Sequence, residues 1–229
     1  MWVDREDLVE RVTREVMGRL PGRADPVPDR VDVPIGVSVR HVHLTKAHVE
    51  ELFGEGREMQ PFADLYQKGY YAAKEQVLVV GPKGAIAKVR VLGPPRAFSQ
   101  VELAQTDAVA IGLRLPICSE GREAETQPVT IIGPEGSIRL PGGAEGGAFI
   151  ARRHVHLGEE HAAEWGVKAG DLLDLEIEGP RPTCLHGVLV RVGRGWRPEV
   201  HLDTDEANAC AVRTGQTGAL VLRRRPGRG

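Results

Sequence analysis

The chain has 229 residues, of which 41% are hydrophobic and 27% are charged. These values are typical of a folded protein with a core of its own, and they exclude the disordered class. The formal net charge of −2 gives no reason to expect a nucleic-acid partner. No apolar run approaches the ~20 residues of a membrane-spanning helix, so no contact with a membrane is expected.

The cysteines are Cys118, Cys184 and Cys210, and no two of them have CxxC spacing. An odd number of cysteines without such spacing favours a reducing compartment, so we expect a cytoplasmic protein. We expect all three to be small core residues.

Residues 2–20 differ from the rest of the chain. Leu8, Val12 and Val16 recur at helical spacing with charged residues between them, which predicts an amphipathic helix, and residues 21–30 have the composition of a linker. An isolated helix of this length is marginal in water and needs a surface to pack on. Two interpretations stay open: packing on its own domain, or binding to a partner.

From residue 31 onward the apolar residues alternate, which is typical of β-strands. Paired runs around tight turns predict three hairpins, at residues 77–91, 129–140 and 171–192. Helical patterns are short and confined to residues 46–53, 159–165 and 205–210. Many short strands with few helices predict a mainly β fold of barrels or a sandwich.

The chain contains an internal repeat. The pentapeptide Arg-His-Val-His-Leu occurs at residues 40–44 and again at 153–157, an offset of 113 residues. Each copy is followed by a hairpin and by a similar strand, which contains Glu102 in one case and His201 in the other. We therefore predict two related halves, residues 31–115 and 145–229, joined by a connecting hairpin within 116–144.

The repeat predicts two metal-binding groups. Residues two apart on a strand project from the same face, so His41 and His43 point together, as do His154 and His156. A third ligand from a distant strand would complete each site, and the repeat nominates Glu102 for the first group and His201 for the second. Three protein ligands with an open position are typical of catalytic zinc.

A single His-x-His pair is commonly accidental, so this prediction depends on the two copies being in register. His48 and His161 also repeat, but they fall in predicted helices and are expected to be packing or capping groups. His186 stands alone and is expected to be a surface or turn residue.

Three cationic residues, Lys83, Arg90 and Arg96, precede the strand that contains Glu102. We expect them to converge on the metal-binding strands, where they would favour an anionic, phosphate-bearing substrate.

These segments resemble the phosphate propanoyltransferase family, the phosphotransacylases of propanediol utilisation and related bacterial microcompartments. The resemblance covers residues 33–215 and rests on four stretches, residues 34–44, 91–102, 151–157 and 199–209. It implies two related β-barrels with short capping helices, two zinc ions per chain, and reversible transfer of a propanoyl or acetyl group between coenzyme A and phosphate.

The resemblance also implies roles for individual residues. It assigns the zinc ions to His41, His43, Glu102, His154, His156 and His201. It gives Arg96 the phosphate contact and a catalytic role. It assigns contacts with coenzyme A to Val37, Ser38, Val39, Lys83, Arg90 and Asn208. Asn is usual in the family where this chain has Val39, so only a backbone contact is expected at that position.

Members of the family that enter microcompartments carry an N-terminal amphipathic helix that directs them into the shell. Residues 2–20 are similar to that helix, which implies a shell protein as a partner and a location inside a microcompartment in the cytoplasm. The small-molecule partners implied are coenzyme A, acyl phosphate and phosphate, and a homodimer is expected.

Two alternatives to the transferase remain. Paired metals also suit a hydrolase of phosphate esters or acyl phosphates, which would not require coenzyme A. In the other alternative, zinc only stabilises a non-catalytic microcompartment module, and chelation would then unfold the chain.

Overall fold

A computed structural model of the chain describes residues 28–119, 121 and 123–222. The predicted helix over residues 2–20 lies outside the described residues, as does most of its linker. The described chain is mainly β, as the sequence predicts. No helix in this part of the chain is long and apolar enough to cross a membrane.

Fifteen strands are present within the described residues. In chain order they are β1 (Arg30–Ser38), β2 (His41–His43), β3 (Pro61–Asp64), β4 (Tyr71–Gly81), β5 (Gly84–Gly93), β6 (Gln100–Glu102), β7 (Ile117–Cys118), β8 (Val129–Ile132), β9 (Ser137–Leu140), β10 (Ala148–Ala151), β11 (His154–Leu157), β12 (Leu172–Ile177), β13 (Thr183–Val192), β14 (Glu199–Asp203) and β15 (Thr217–Val221). The three predicted hairpins are confirmed as the pairs β4–β5, β8–β9 and β12–β13.

The α-helices of this part of the chain are α1 (Lys46–Phe53), α2 (Gln105–Ile111), α3 (Glu159–Glu164) and α4 (Thr204–Cys210). Three of them lie where the sequence predicts helices. Helix α2 was not predicted, because its seven residues give less than two turns of apolar periodicity. Helix α4 begins with a capping box in which the side chains of Asp203 and Glu206 satisfy each other's backbone N–H groups.

The strands form two sheets. One is a closed barrel in the order β1-β14-β11-β13-β12-β15, and the other is a nine-stranded sheet in the order β7-β10-β6-β2-β5-β4-β8-β9, with β3 paired to β4. The related halves are therefore one closed barrel and one open sheet, where the sequence predicted two barrels. Hydrophobic alternation indicates which residues face a core, but it does not indicate whether the edge strands meet.

The two halves exchange a strand. Strand β1 pairs with β14 and β15 of the closed barrel, whereas β2, two residues later, belongs to the open sheet. Strand β10 pairs with β6 and β7 of the open sheet, whereas β11, again after two residues, belongs to the barrel. The predicted division into residues 31–115 and 145–229 follows the repeat, which locates equivalent strands without indicating their partners.

Each sheet encloses its own hydrophobic core. Ile35 on β1 and Leu175 on β12 are fully buried in the barrel core together with Val155, Val190 and Leu220. The core of the open sheet contains, among others, Leu44, Val79, Val91, Val101 and Ile131.

The cysteines only partly follow the prediction that all three are core residues. Cys118 and Cys210 are buried, whereas Cys184 on β13 is exposed. The side chain of Cys184 is on the outward face of β13, and the amino-acid composition does not predict which face of a strand a residue occupies.

The exchange of β1 leads to a stability prediction. Replacing the fully buried Ile35 with Ala should lower the free energy of unfolding by about 2–5 kcal/mol, because the barrel core loses apolar contacts and gains a cavity. Ile117 on β7 is 63% exposed, so the matched Ile117→Ala change should cost within about 0.5 kcal/mol. Urea denaturation of both variants checks this, and equal losses would contradict the burial of β1 in the barrel.

Candidate active site

The first donor group lies on two neighbouring strands. His41 and His43 are on β2, and Glu102 on the antiparallel strand β6 lies directly opposite His41. One carboxylate oxygen, Oε1 of Glu102, is 3.4 Å from Nε2 of His41 and 3.6 Å from Nε2 of His43. A tetrahedral zinc ion bonded at about 2.0–2.2 Å to nitrogen and oxygen separates those atoms by about 3.4 Å. The spacing therefore fits three ligands around one ion.

The second donor group has the same construction in the barrel. His154 and His156 are on β11, and His201 on antiparallel β14 lies directly opposite His154. The ring centroids are 4.8 Å apart for His154 and His156, 4.8 Å for His154 and His201, and 4.5 Å for His156 and His201. In each group the three donor atoms lie within 4.8 Å of one another.

The backbone orients one imidazole in each group. Nδ1 of His41 lies 2.9 Å from the carbonyl oxygen of Val39, and Nδ1 of His154 lies 2.8 Å from that of Arg152. A carbonyl only accepts, so Nδ1 carries the proton and Nε2 keeps the lone pair that a metal would bind. Val39 and Arg152 lie in the two-residue links that join the exchanged strands to β2 and β11.

Other imidazole nitrogens in these groups are buried without a hydrogen-bond partner: Nδ1 of His43 and Nδ1 of His156. Buried polar atoms without partners cost free energy. The donor groups therefore contain nitrogen atoms that no other group of the protein satisfies. This surplus, with the donor chemistry and spacing, fits bound divalent metal.

Burial keeps most of these imidazoles neutral. It lowers the pKa of His43 to about 4, of His154 to about 3 and of His156 to about 2, with nearby positive groups adding to the effect. Burial also acts to raise the pKa of Glu102, but the adjacent His41 and His43 outweigh it and hold that pKa well below its usual range. At neutral pH the first group therefore offers the carboxylate of Glu102, and His154 and His156 of the second offer neutral nitrogens.

Arg96 lies close to both groups. Its backbone N–H donates to the carbonyl of Leu44, at 2.8 Å, which fixes it just beyond β2. Burial is the main cause of the low pKa values of His43 and His156, and the charge of Arg96 contributes to both. The charge of Glu102 likewise acts on His154 of the other group. The charge of Arg96 is thus near enough to act on a histidine of each donor group.

Each third donor is supported by the residue two positions before it. Gln100 donates from Nε2 to Oε1 of Glu102 at 2.7 Å, and Oε2 of Glu199 is 3.0 Å from Nε2 of His201. Gln100 and Glu199 are both buried and are related by the same 99-residue offset as Glu102 and His201. Each group therefore contains one carboxylate, as a donor in the first and as a neighbour of a donor in the second.

Gly36 on β1 makes room for the Glu199 side chain. A Cβ atom at Gly36 would lie 2.7 Å from Oε1 of Glu199, which is closer than real Cβ contacts. Gly36 is also the register partner of His201. The exchanged strand thus shapes the surroundings of the second donor group.

Equivalent ion pairs tie the histidine strands to helices. Nε of Arg40, the residue before His41, is 2.9 Å from Oδ2 of Asp107 on α2. Nε of Arg153, the residue before His154, is 2.6 Å from Oε1 of Glu206 on α4. These two helices meet where the hydroxyl and N–H of Thr106 donate to the carboxylate of Asp205, at 2.7 and 2.8 Å.

Two loops meet beside the second donor group. The Trp196 ring lies 4.4 Å from that of His156, measured between centroids. Its neighbour Arg197 exchanges backbone hydrogen bonds with the buried side chain of Gln67, at 2.8 and 3.0 Å, and stacks over Tyr66 at 4.2 Å. The loop between β3 and β4 is thereby attached to the loop between β13 and β14.

The predicted cations differ in their distance from the donor groups. The charge of Arg96 acts on both groups and Arg90 is the register partner of His41, whereas Lys83 lies in the β4–β5 turn, seven residues and roughly 20 Å along the chain from Arg90. The guanidinium of Arg90 donates to the carbonyl of Ala73 at 2.9 Å and lies over the Phe62 ring at 4.9 Å. The length of the hairpin separates Lys83 from Arg90.

The other residues predicted to contact coenzyme A lie near the ends of elements. Val37 and Ser38 end β1, and Val39 follows with 55% of its surface exposed. The N–H of Val37 donates to the hydroxyl of Thr214 at 3.0 Å. Asn208 is exposed on α4.

Sequence reasoning missed several residues of the site. Gln100 and Glu199 could have been found, because the repeat that nominates Glu102 and His201 also relates the residues two positions earlier. Trp196, Gln67 and Arg191, the register partner of His156 on β13, have no counterpart in the repeat, so the sequence carried no signal for them.

Comparisons with known proteins show the family to which the chain belongs. A sequence model described as phosphate propanoyltransferase matches residues 34–213. A protein of that name from Lachnoclostridium phytofermentans is 41% identical over 217 residues, 94% of this chain and 99% of the relative. Relatives of the same name from Thermotoga maritima and Priestia megaterium are 47% and 45% identical, covering 82% and 83% of this chain and 88% and 86% of the relatives. The chain belongs to the phosphate propanoyltransferase family and is a transferase.

The pairing of Glu199 with His201 leads to a metal-binding prediction. Glu199→Gln keeps the shape of the side chain but removes the charge beside His201. The zinc affinity of the second donor group should fall by about 10–100-fold, while the first group keeps its ion. Competition with a chromophoric chelator, with bound zinc counted per chain, measures this.

Glu160→Gln is the matched control, because Glu160 is also close to a histidine, with Oε1 3.3 Å from Nδ1 of His161, but lies outside both donor groups. It should leave the zinc content unchanged. Equal zinc retention by the two variants would show that Glu199 does not support the second group.

Proposed function

We propose that the chain is a zinc-dependent phosphate acyltransferase that interconverts a short-chain acyl-CoA and phosphate with acyl phosphate and coenzyme A. The observation that carries the proposal is the position of Arg96 against two adjacent three-donor groups. An anion bound beside Arg96 would contact a planar guanidinium, whose donors match the geometry of phosphate oxygens. The names of the relatives support propanoyl as the acyl group, and acetyl is the shorter alternative.

The donor sets support two zinc ions per chain, one held by His41, His43 and Glu102 and the other by His154, His156 and His201. When bound, such ions supply Lewis-acid stabilisation of developing negative charge on a carbonyl oxygen and on a departing thiolate. Each group uses three protein ligands and leaves a position for substrate, as catalytic zinc sites do.

In this proposal Arg96 binds and orients phosphate for direct attack on the thioester. A phosphate oxygen forms a bond to the acyl carbon, the carbon–sulfur bond breaks, and its electron pair leaves on the sulfur of coenzyme A. Holding both reactants in one site contributes a large part of the acceleration by removing the entropy cost of their meeting. Trp196 beside His156 limits the access of water to that group.

The nucleophilic side chains of the described residues support transfer without an acyl-enzyme. Ser99 is 1% exposed, accepts from the N–H of Thr45 at 2.9 Å and lies 2.6 Å from Nδ1 of His48. Burial raises the pKa of Cys118 to about 11, so its thiol stays protonated. Both groups are therefore poorly suited to attack a substrate.

Coenzyme A is proposed to contact Val37, Ser38, Val39, Lys83, Arg90 and Asn208. The exposed edge at Val39 and the exposed Asn208 are accessible to a long ligand. Arg90 donates to backbone carbonyls of β4 and is the register partner of His41 on β2.

The proposal that a microcompartment shell protein binds residues 2–20 is separate. It depends only on the apolar spacing of that segment, which precedes the 34–213 range matched by the family model.

Chelation provides the first test of the function. The full chain should form a thioester from coenzyme A and propanoyl phosphate, lose this activity on chelation and regain it when zinc returns. Circular dichroism recorded on the same samples should retain its β signal throughout. Loss of that signal on chelation would favour the non-catalytic zinc-stabilised module, and hydrolysis of propanoyl phosphate without coenzyme A would favour the hydrolase.

Replacing Arg96 provides the second test. Arg96→Ala should lower kcat/KM for phosphate by about 100-fold or more, because one preorganised charge-bearing donor is lost, while the melting temperature changes little. Arg96→Lys should restore only part of the activity, since an ammonium lacks the planar fork. The exposed Arg114 offers a control, and Arg114→Ala should behave as the parent does. Normal phosphate dependence in Arg96→Ala would remove Arg96 from the site.

A further inference from the structure

A cluster of different donors lies on the outer face of the closed barrel and shares no residue with the two donor groups of the candidate active site. Asp174 on β12 and Cys184 and His186 on β13 place a carboxylate oxygen, a thiol sulfur and an imidazole nitrogen within 4.8 Å of one another. Asp174 lies between Leu173 and Leu175 of the barrel core, so its side chain is on the outward phase of the strand. Cys184 and His186 share that outward phase and are exposed.

The three donors converge on one point. Nδ1 of His186 lies 2.9 Å from Oδ1 of Asp174 and 3.7 Å from Sγ of Cys184. A tetrahedral zinc ion with bonds of about 2.0–2.3 Å would separate nitrogen from sulfur by about 3.6 Å and nitrogen from oxygen by about 3.4 Å. The sulfur spacing already fits, and the oxygen needs to move outward by about 0.5 Å on the same bond lengths.

This geometry differs from that of a catalytic relay. In a Cys-His-Asp relay the thiol and the carboxylate contact different nitrogens of the imidazole. Here both face Nδ1 of His186, so a proton cannot pass from one to the other through the ring. Convergence on a single nitrogen is the arrangement of ligands around an ion.

A bulge produces the convergence. Leu173 pairs with Val188 and Leu175 pairs with Leu185, so Asp174 alone faces two residues, His186 and Gly187. Gly187 has φ = 76°, a left-handed conformation that glycine adopts without strain. The extra residue directs His186 toward Asp174 while Cys184 stays on the same face.

The first half has the same bulge without the donors. Lys88, 99 residues before Gly187, has φ = 59°, and the register between β4 and β5 shifts at the equivalent place. The positions equivalent to Asp174, Cys184 and His186 are Leu78, Ala85 and Ala87. The bulge belongs to the repeated fold, whereas the donors occur in the second half alone.

Charged groups of both signs surround the cluster, and Arg153 donates from Nη1 to the carbonyl of His186 at 3.1 Å. Glu176, two residues from Asp174 on the same face, is the register partner of Cys184. Its carboxylate is paired with Arg30, at 2.8 and 3.2 Å. Asp174 therefore keeps an acidic neighbour whose charge is partly neutralised.

We propose that Asp174, Cys184 and His186 form a further metal site that binds one divalent ion of borderline softness, of which Zn²⁺ is the type. Thiolate, imidazole and carboxylate are the ligands that zinc takes, and three of them at a surface leave one position for water. The site is independent of the proposed acyl transfer, because it shares no ligand with the two donor groups of the candidate active site.

Cobalt spectroscopy tests the proposal on the full chain. The two donor groups of the candidate active site contain no sulfur, so Co²⁺ bound there gives no thiolate-to-cobalt charge-transfer band. Titrating the metal-free chain with Co²⁺ should produce that near-ultraviolet band, because Co²⁺ bound at the proposed site has a thiolate ligand. Absence of the band in the parent chain would overturn the proposal.

Single substitutions identify the ligands. Cys184→Ser should abolish the band, and Asp174→Asn or His186→Asn should weaken cobalt binding by at least about tenfold, the lower cost of losing even an outer partner of a metal. Cys118 also lies near two glutamates, so Cys118→Ser is the matched control and should keep the band. A band that survives in Cys184→Ser or disappears in Cys118→Ser would contradict the assignment.

Thiol labelling gives a second readout that does not depend on colour. Cys184 is the exposed cysteine of the three, so a maleimide should modify it first. One equivalent of Zn²⁺ should slow this labelling by at least about tenfold in the parent chain, and less in His186→Asn. Equal labelling rates with and without zinc would mean that the thiol is not a ligand.

Discussion

The structure depends on a strand exchange that occurs twice at equivalent places. β1 and β10 each pair in one sheet, and after two residues the chain continues as β2 or β11 in the other. The carbonyls that orient His41 and His154 belong to these two-residue links. Because the links cannot move without disturbing both sheets, the histidine strands are held by two hydrophobic cores at once. The candidate site therefore lies where the halves are most tightly connected.

The two donor groups differ in composition but balance their charge in the same way. The first has the pair Gln100 and Glu102, and the second has Glu199 and His201 at the equivalent positions. Moving the carboxylate from donor to neighbour keeps one negative charge beside each ion, while the second group presents only nitrogen ligands. Such a difference would make the two ions unequal, with the all-nitrogen site the stronger Lewis acid because no anionic ligand offsets the charge of its ion directly. In the proposed reaction phosphate and the thioester differ chemically, so two unequal ions would suit the two reactants.

The sequence predicted the mainly β fold and its hairpins because alternation and turn chemistry are local signals. It also nominated the six donors of the candidate active site, because a His-x-His pattern that occurs twice in register is stronger evidence for a metal site than a single pair. The sequence could not predict the exchange of β1, because its apolar pattern shows that Ile35 is buried but not in which sheet. Arg90 lies beside His41, whereas Lys83 lies in the turn of the same long hairpin, so nearness along the chain did not indicate how far apart these two cations are. Trp196 and Gln67 meet through tertiary contacts alone.

The cluster of Asp174, Cys184 and His186 shows the limit of reasoning from repeats. Cys184 and His186 are two residues apart on a strand, the same spacing that nominated His41 and His43. Their equivalents in the first half are Ala85 and Ala87, so a search for duplicated patterns discards them. A repeat identifies what both halves inherited, whereas a donor set added to one half has to be recognised from geometry. Here the repeated bulge, with Gly187 at its left-handed position, provides the backbone on which the three donor side chains of the second half meet.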